Sequence, residues 1–279
     1  MGTSEHGLVL SERIEPPRGW RLPDFRRVWQ YRELVYFLAR RDIAVRYRQT
    51  AVGAAWAIAQ PVGFAAAFSL VLGLWGRPPS GGIPFPVFAL AGMTVWIFVS
   101  SSLSHIAGST LASSALISKV YFPRLVIPLA ALIPPAVDFL VAFAVLVLAM
   151  VLWGVAPPPQ VVLVPLMVVL AAGTVLGAGL WLSALAVRYR DVQHVVPFAV
   201  QLGLFASPVL YQLNLVPEAV QPFYVLNPLV GVLEGFRWAL LGTSPPGEII
   251  LIPIVTAVAL LATGLVFFAR AETRFADDL

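Results

Sequence analysis

Asp138 is the one acidic residue set well inside a long apolar run, the run over 125–153. A carboxylate at the centre of a bilayer costs roughly 3 kcal/mol to insert. Ionisable groups at that depth line a pathway or pair with a neighbouring helix. Both roles fit Asp138, and so does a packing contact beside Pro134 and Pro135. His105 follows Ser100, Ser101, Ser102 and Ser104, and His194 begins a later run, but neither has a second ligand at H-x-x-x-H spacing. Helix-end hydrogen bonds are therefore expected of both, and no catalytic or metal-binding residues. The chain has no cysteine, which removes disulfides, thiolate ligands and thiol nucleophiles. It also has no G-x-S-x-G elbow and no G-x-x-x-x-G-K-[ST] phosphate loop. If ATP powers this protein, another chain must bind it.

A second chemistry is carried by rings and amides. Sugars bury C–H faces against aromatic planes while their hydroxyls exchange hydrogen bonds with side-chain amides. Trp56, Gln60, Phe64 and Phe68 recur every four residues in one apolar run. His194, Phe198, Gln201, Phe205 and Gln212 share a helical stripe in another. The rings alone would be ordinary packing or lipid-facing residues. Gln60 and Gln201 are what favour a helix interface or a conduit over a lipid-facing surface.

These residues need elements to hold them. Hydrophobic residues make up 59% of the 279 and charged residues 11%, against roughly half and a quarter in a soluble domain. That is the composition of a membrane protein, and about six helices of ~20 residues consume nearly half the length. Apolar spans are predicted over 52–75, 85–106, 125–153, 161–187, 195–213 and 249–269. With six crossings, sixteen of the eighteen basic residues fall on one side. They are ten arginines between positions 13 and 48, then Lys119, Arg124, Arg188, Arg190, Arg270 and Arg274, with only Arg77 and Arg237 elsewhere. The positive-inside rule then puts both termini in the cytoplasm. A nucleic-acid partner is not expected, because the basic residues border apolar runs instead of forming one soluble patch. The N-terminus is no cleavable signal, since about fifty residues rich in Arg and Glu precede the first apolar run.

Residues 1–27, with Pro16, Pro17 and Pro23 and no apolar periodicity, read as a flexible cytoplasmic tail. Within 28–50, Val28, Tyr31, Val35, Leu38 and Ala39 fall on one helical side, as in an amphipathic helix lying in the membrane interface. Residues 51–279 form the membrane domain. Pro128, Pro134 and Pro135 predict a third span that is kinked or starts late. Gly173 and Gly177 permit close helix packing. No internal repeat is evident, which counts against an inverted-repeat secondary transporter. The stretch 214–246 is cut by Pro217, Pro222 and Pro228 and its apolar part is too short to cross. It reads as an external re-entrant hairpin, a backbone tolerated at depth only where protein or a wet cavity satisfies it. On the cytoplasmic side the connection SSALISKVYFPR over 113–124 looks like a docking element, and Arg188 to Asp191 form a compact charged turn.

RYRQTAVGAAWAIAQP over 46–61, LISKVYFPRLVIPLA over 116–130, RYRDV over 188–192, SPVLY over 207–211 and NPL over 227–229 stand in order around the six spans. Together they resemble the membrane subunit of ABC exporters of O-antigen, teichoic acid and related cell-surface polysaccharides, across nearly all the chain after residue 28. The resemblance implies an all-α membrane protein of six transmembrane helices, with an N-terminal amphipathic interface helix and an external re-entrant hairpin before the sixth. It implies a non-enzymatic homodimer in the bacterial inner membrane, bound to two copies of a cytoplasmic ABC ATPase that holds ATP and Mg. The cargo would be a lipid-linked glycan. Trp56, Gln60, Phe64, Phe68, Phe198, Gln201, Phe205 and Tyr211 would line the path. Ser113, Ser114, Leu116, Lys119, Tyr121, Arg124, Arg190 and Asp191 would couple to the ATPase. Tyr224, Asn227, Pro228, Glu234 and Arg237 would form the gate. Related permeases for drugs or lipids share this architecture, and proton coupling through Asp138 is the rival mechanism.

Overall fold

The computed structural model describes residues 23–48, 55–74, 80–247, 250–273 and 275. Most of the expected tail, residues 49–54 of the 46–61 motif, Arg77 and Arg274 lie outside the described residues. Every regular element among the described residues is helical. They are α1 (Phe25–Gln30), α2 (Arg32–Arg48), α3 (Ala55–Leu74), α4 (Phe85–Ala112), α5 (Ser114–Ile117), α6 (Val126–Leu152), α7 (Val164–Arg188), α8 (Val192–Phe205), α9 (Gln221–Tyr224), α10 (Pro228–Leu241) and α11 (Leu251–Glu272), with 3₁₀ turns at Pro159–Leu163 and Leu213–Leu215.

Local chemistry sets several ends. The Asp24 side chain accepts from the backbone N–H groups of Arg26 and Arg27, so the helical region begins at Phe25, ahead of the expected Val28, and breaks at Tyr31. Asn227 caps α10 by accepting from Leu229 N–H, Pro228 follows at the first helical position, and Gly242 ends the helix at φ +70°. The third long helix does not start late. It runs from Val126 through Pro134 and Pro135 without interruption.

Four helical segments are long and apolar enough to cross a membrane: Phe85–Ala112, Val126–Leu152, Pro159–Arg188 and Leu251–Glu272. Two apolar helices are shorter among the described residues, Ala55–Val71 and Val192–Phe205. The predicted fifth span, 195–213, is therefore corrected. Its helix stops at Phe205, and 14 residues at ~1.5 Å each reach only about 21 Å. The apolar run continues, but Ser207 and Pro208 turn the backbone out of the helix.

α4 is the central strut. It packs against α3, α6, α7, α8 and α10. α7 and α11 approach backbone to backbone, since a Cβ on Gly264 would stand 2.4 Å from the Gly177 carbonyl oxygen and one on Gly177 2.6 Å from the Leu261 nitrogen. The Gly173 and Gly177 spacing is thus a packing seam. Trp181, stacked 3.8 Å over Phe267, closes it.

Two apolar cores result. The larger holds Phe88, Met93, Phe98, Phe139, Leu146, Val164, Met167, Leu233 and Phe236. The smaller holds Val28, Leu38, Ile117, Phe122, Val126, Leu180, Ala184, Phe268 and Phe275. The second brings α1 and the residue after α11 into one cluster, so both ends of the described chain lie at one pole, called basal below. The pole with α10 is distal.

Candidate functional site

α3 is attached by a narrow seam. Ala57, Pro61 and Ala65, spaced by four, are buried, while the adjoining stripe leaves Trp56, Gln60 and Phe64 exposed and Phe68 half-buried. α8 fully buries only Val196. It meets α4 where a Cβ on Gly203 would stand 3.0 Å from the Trp96 ring. His194, Phe198, Gln201 and Phe205 remain exposed. Both stripes therefore lie outside the core, on two helices that each lean on α4. Gln212 departs from its stripe and is buried, its amide beside Gly81.

Tyr211, expected on the path, belongs instead to a polar joint at the distal pole together with Tyr224, Asn227, Glu234 and Arg237. Beyond Phe205 the backbone of 206–212 is non-helical, and its carbonyls need donors. Arg237, 1% exposed, serves three of them. Its Nη1 donates to the Pro208 carbonyl at 2.5 Å and to that of Tyr211 at 3.1 Å, and its Nη2 donates to the Val209 carbonyl. Asn227 Nδ2 donates to the Ala206 carbonyl at 3.1 Å and to Ser207 Oγ at 2.9 Å. The Tyr211 hydroxyl donates to the Phe205 carbonyl at 2.9 Å and meets the Tyr224 hydroxyl. Glu234 accepts from Leu213 N–H at 3.3 Å and sits 3.9 Å from Arg237. The guanidinium lies 3.9 Å over the Phe88 ring. Gly92 makes the room, because a Cβ there would stand 2.1 Å from the Val209 oxygen and 2.2 Å from Arg237 Nη2. SPVLY and NPL, two of the motifs that carry the resemblance, are thus halves of one joint. Pro228 starts the helix that supports it.

At the basal pole the connection between α4 and α6 divides in two. Lys119, Val120 and Tyr121 face outward, whereas Ser113, Ile117 and Phe122 are buried and Ser114 and Leu116 half-buried. The Arg27 guanidinium lies 5.2 Å over the Tyr121 ring. Arg124 faces inward: its backbone N–H donates to Glu272 Oε1 at 2.8 Å, and its side chain donates to the Glu272 carbonyl. Arg190 and Asp191 are exposed on the turn between α7 and α8.

Asp138 has partners. Arg46 pairs with its Oδ2 at 2.6 Å, and the Tyr47 hydroxyl donates to its Oδ1. Arg46 also lies 3.4 Å from His105 Nε2. Burial, then the bond to Asp138, pushes the Tyr47 phenol up to about 12, so it stays a donor at any physiological pH. α2 thus runs alongside the first half of α6 and ends on its one buried acid. A cleft of about 520 Å³ opens between α2, α4 and α6 next to Arg41, Asp42, Arg46 and His105. Sequence reasoning flagged Asp138 and His105 but missed Arg46, Tyr47 and Glu272. The first two carried a signal, since an Arg-Tyr-Arg run stood directly before the first span and an intramembrane acid calls for a cation.

Comparison with known proteins places this geometry. The family model described as ABC-2 type transporter matches residues 33–241. The O-antigen export system permease protein RfbA of Klebsiella pneumoniae is 28% identical over 249 residues, 88% of this chain and 95% of the relative. That of Myxococcus xanthus is 28% identical over 259 residues, 91% and 98% of the two chains. The polysialic acid transport protein KpsM of Escherichia coli is 27% identical over 213 residues, 72% and 78%.

Proposed function

Because the chain belongs to the ABC-2 type transporter family, we propose that it is the membrane subunit of an exporter that moves a lipid-linked cell-surface polysaccharide out of the cytoplasm, powered by a separate ATPase chain. The observation that carries this reading is a likeness running almost end to end along permeases named for O-antigen export, 95% and 98% of their lengths. The exposed stripes support it. Trp56, Gln60, Phe64, Phe198, Gln201 and Phe205 combine rings with amides, a chemistry suited to glycans and unsuited to lipid tails.

Six crossings complete the architecture, four by the long helices and two by α3 and α8 with their adjoining residues, the distal joint finishing the fifth. The basal pole is cytoplasmic, which puts Lys119, Arg124, Arg188, Arg190 and Arg270 on the inner side of the bacterial inner membrane. α10 is the re-entrant element, and its buried donors meet the demand that broken backbone at depth be satisfied by protein. Two protomers enclose the path between their α3 and α8 faces, two copies of the ATPase dock at Lys119, Val120 and Tyr121, and nucleotide binding there shifts the helices that bound the path. The rival mechanism, proton coupling, drew on Asp138 as an intramembrane acid. Its 2.6 Å pairing with Arg46 accounts for that acid without a proton carrier.

Reconstitution decides between them. The chain is placed in proteoliposomes with a candidate ABC ATPase and a lipid-linked glycan from the same cells. Export should require ATP and the ATPase. Export sustained by a proton gradient alone would reverse the conclusion.

A further inference from the structure

α11 ends at Glu272 and α6 begins at Val126. Helix ends carry unsatisfied backbone groups, donors at the start and carbonyls at the finish. Leu125, at the cap position of α6, makes no side-chain capping bond. Val126 and Ile127 donate to the Pro123 and Arg124 carbonyls, and Glu272 and Arg124 tie this entry to the end of α11 reciprocally. The Glu272 carboxylate accepts from the backbone N–H of Arg124 at 2.8 Å, just ahead of α6, and the Arg124 guanidinium donates to the backbone carbonyl of Glu272 in the last turn of α11. Each charge reaches the end of the other helix that favours its sign, although it stands at the unfavourable end of its own. The guanidinium further lies 5.7 Å over Phe275, itself buried against Phe268 of α11. Phe122 and Leu125, on either side of Arg124, belong to the same basal core as Phe268 and Phe275. Lys119, Val120 and Tyr121 stand only a few residues before this attachment and point outward.

We propose that Glu272 is a positioning residue for the docking connection, joining the end of α11 to the point where that connection enters α6, so that the two move as one body. The role rests on the docking reading given above. It makes the last membrane helix a carrier of ATPase motion together with α6, although α11 itself presents none of the outward docking residues. A residue that merely stabilised the fold would lower the unfolding temperature without changing how these two pieces move relative to each other.

The chain has no cysteine, so spin labels at Ala115→Cys and Thr273→Cys, both on exposed positions, report one distance without background. They are measured by pulsed EPR in nanodiscs, for the chain alone and for its complex with the ATPase, nucleotide-free and trapped with ATP and vanadate. The parent should give one narrow distance, unchanged in all states. Glu272→Ala should broaden it in every state and lower the ATP turnover of the assembled complex. Glu272→Gln, which keeps an acceptor oxygen for the Arg124 N–H, should restore the narrow distance. If Glu272→Ala does not fold, Arg124→Ala, which keeps the backbone N–H bond to Glu272 and removes the reciprocal bond and the contact with Phe275, should still broaden it. A parent distance that differs between nucleotide states would overturn the proposal, as would a narrow distance in both alanine variants. An ATPase that does not bind the parent would overturn the docking reading instead, since broadening in the chain alone still tests the joint.

Discussion

Asp138 and Arg46 are stable as a pair and unstable apart. Breaking a fully buried ion pair costs about 3–5 kcal/mol because the remaining charge has lost its compensation. Arg46 is 35% exposed at its side chain and Asp138 9%, so water screens part of that loss, and Asp138→Asn should destabilise by about 1–2 kcal/mol. The double change Arg46→Met with Asp138→Leu should recover most of it. Thermal unfolding in nanodiscs checks both, and a double variant less stable than Asp138→Asn would contradict the pairing argument. Gly92 offers a sharper test. A methyl group there collides with a backbone carbonyl and with the most buried cation among the described residues, so Gly92→Ala should cost roughly 2–3 kcal/mol. On the same helix nothing lies within 4 Å of a Cβ added at Gly108. Gly108→Ala is the control, expected to be neutral or stabilising by a few tenths of a kcal/mol.

Among elements, α3 and α8 have outer faces that can be altered without touching the core. Trp56, Phe64 and Phe205 are 57%, 46% and 69% exposed, so replacing all three with alanine should leave protomer stability within about 0.5 kcal/mol per site of the parent. Export in the reconstituted system should fall severely while dimers still form on size exclusion. Unchanged export would return these rings to ordinary packing. The basal connection holds two basic residues of different character. Lys119→Glu should weaken ATPase binding in a pull-down and leave the unfolding temperature in place. Arg124→Glu should lower that temperature, because it sets a second carboxylate against Glu272 and uncaps α11. The long helices, and the shared exposed faces of Trp56, Gln60 and Phe64 and of His194, Phe198, Gln201 and Phe205, were legible in the sequence because a helical pattern writes itself along a single element, whereas Gln212 lies beyond the end of its helix. The end of α8 was not. The apolar run continues past Phe205, and only the Ser-Pro step hints at the stop. The resemblance puts Arg237 in the gate, but its role as a donor is not legible, since its partners are backbone carbonyls of another segment, and no pattern of side chains encodes those. Glu272 was invisible for the same reason.

For the whole molecule, Val28 and Phe275 share the basal core, so both ends of the described chain lie at one pole. Reporters fused at residues 1 and 279 should both be active in the cytoplasm, and one inserted at Gly154, in the turn after α6, should be active outside. Opposite readings from the two ends would dismantle the six-crossing account. The division into two cores has a mechanical result. Among the described residues, only α6 and α7 place fully buried residues in both. Between their two sets lie Pro134, Pro135 and Asp138 on α6, and Gly177 and Gly179 on α7, the residues least able to stiffen a rod. α4 and α11 also run from pole to pole, with Gly92 and Pro253 at the distal end and Phe268 in the basal core, so a displacement of one pole would reach the other through four helices in parallel, two of which carry a compliant waist.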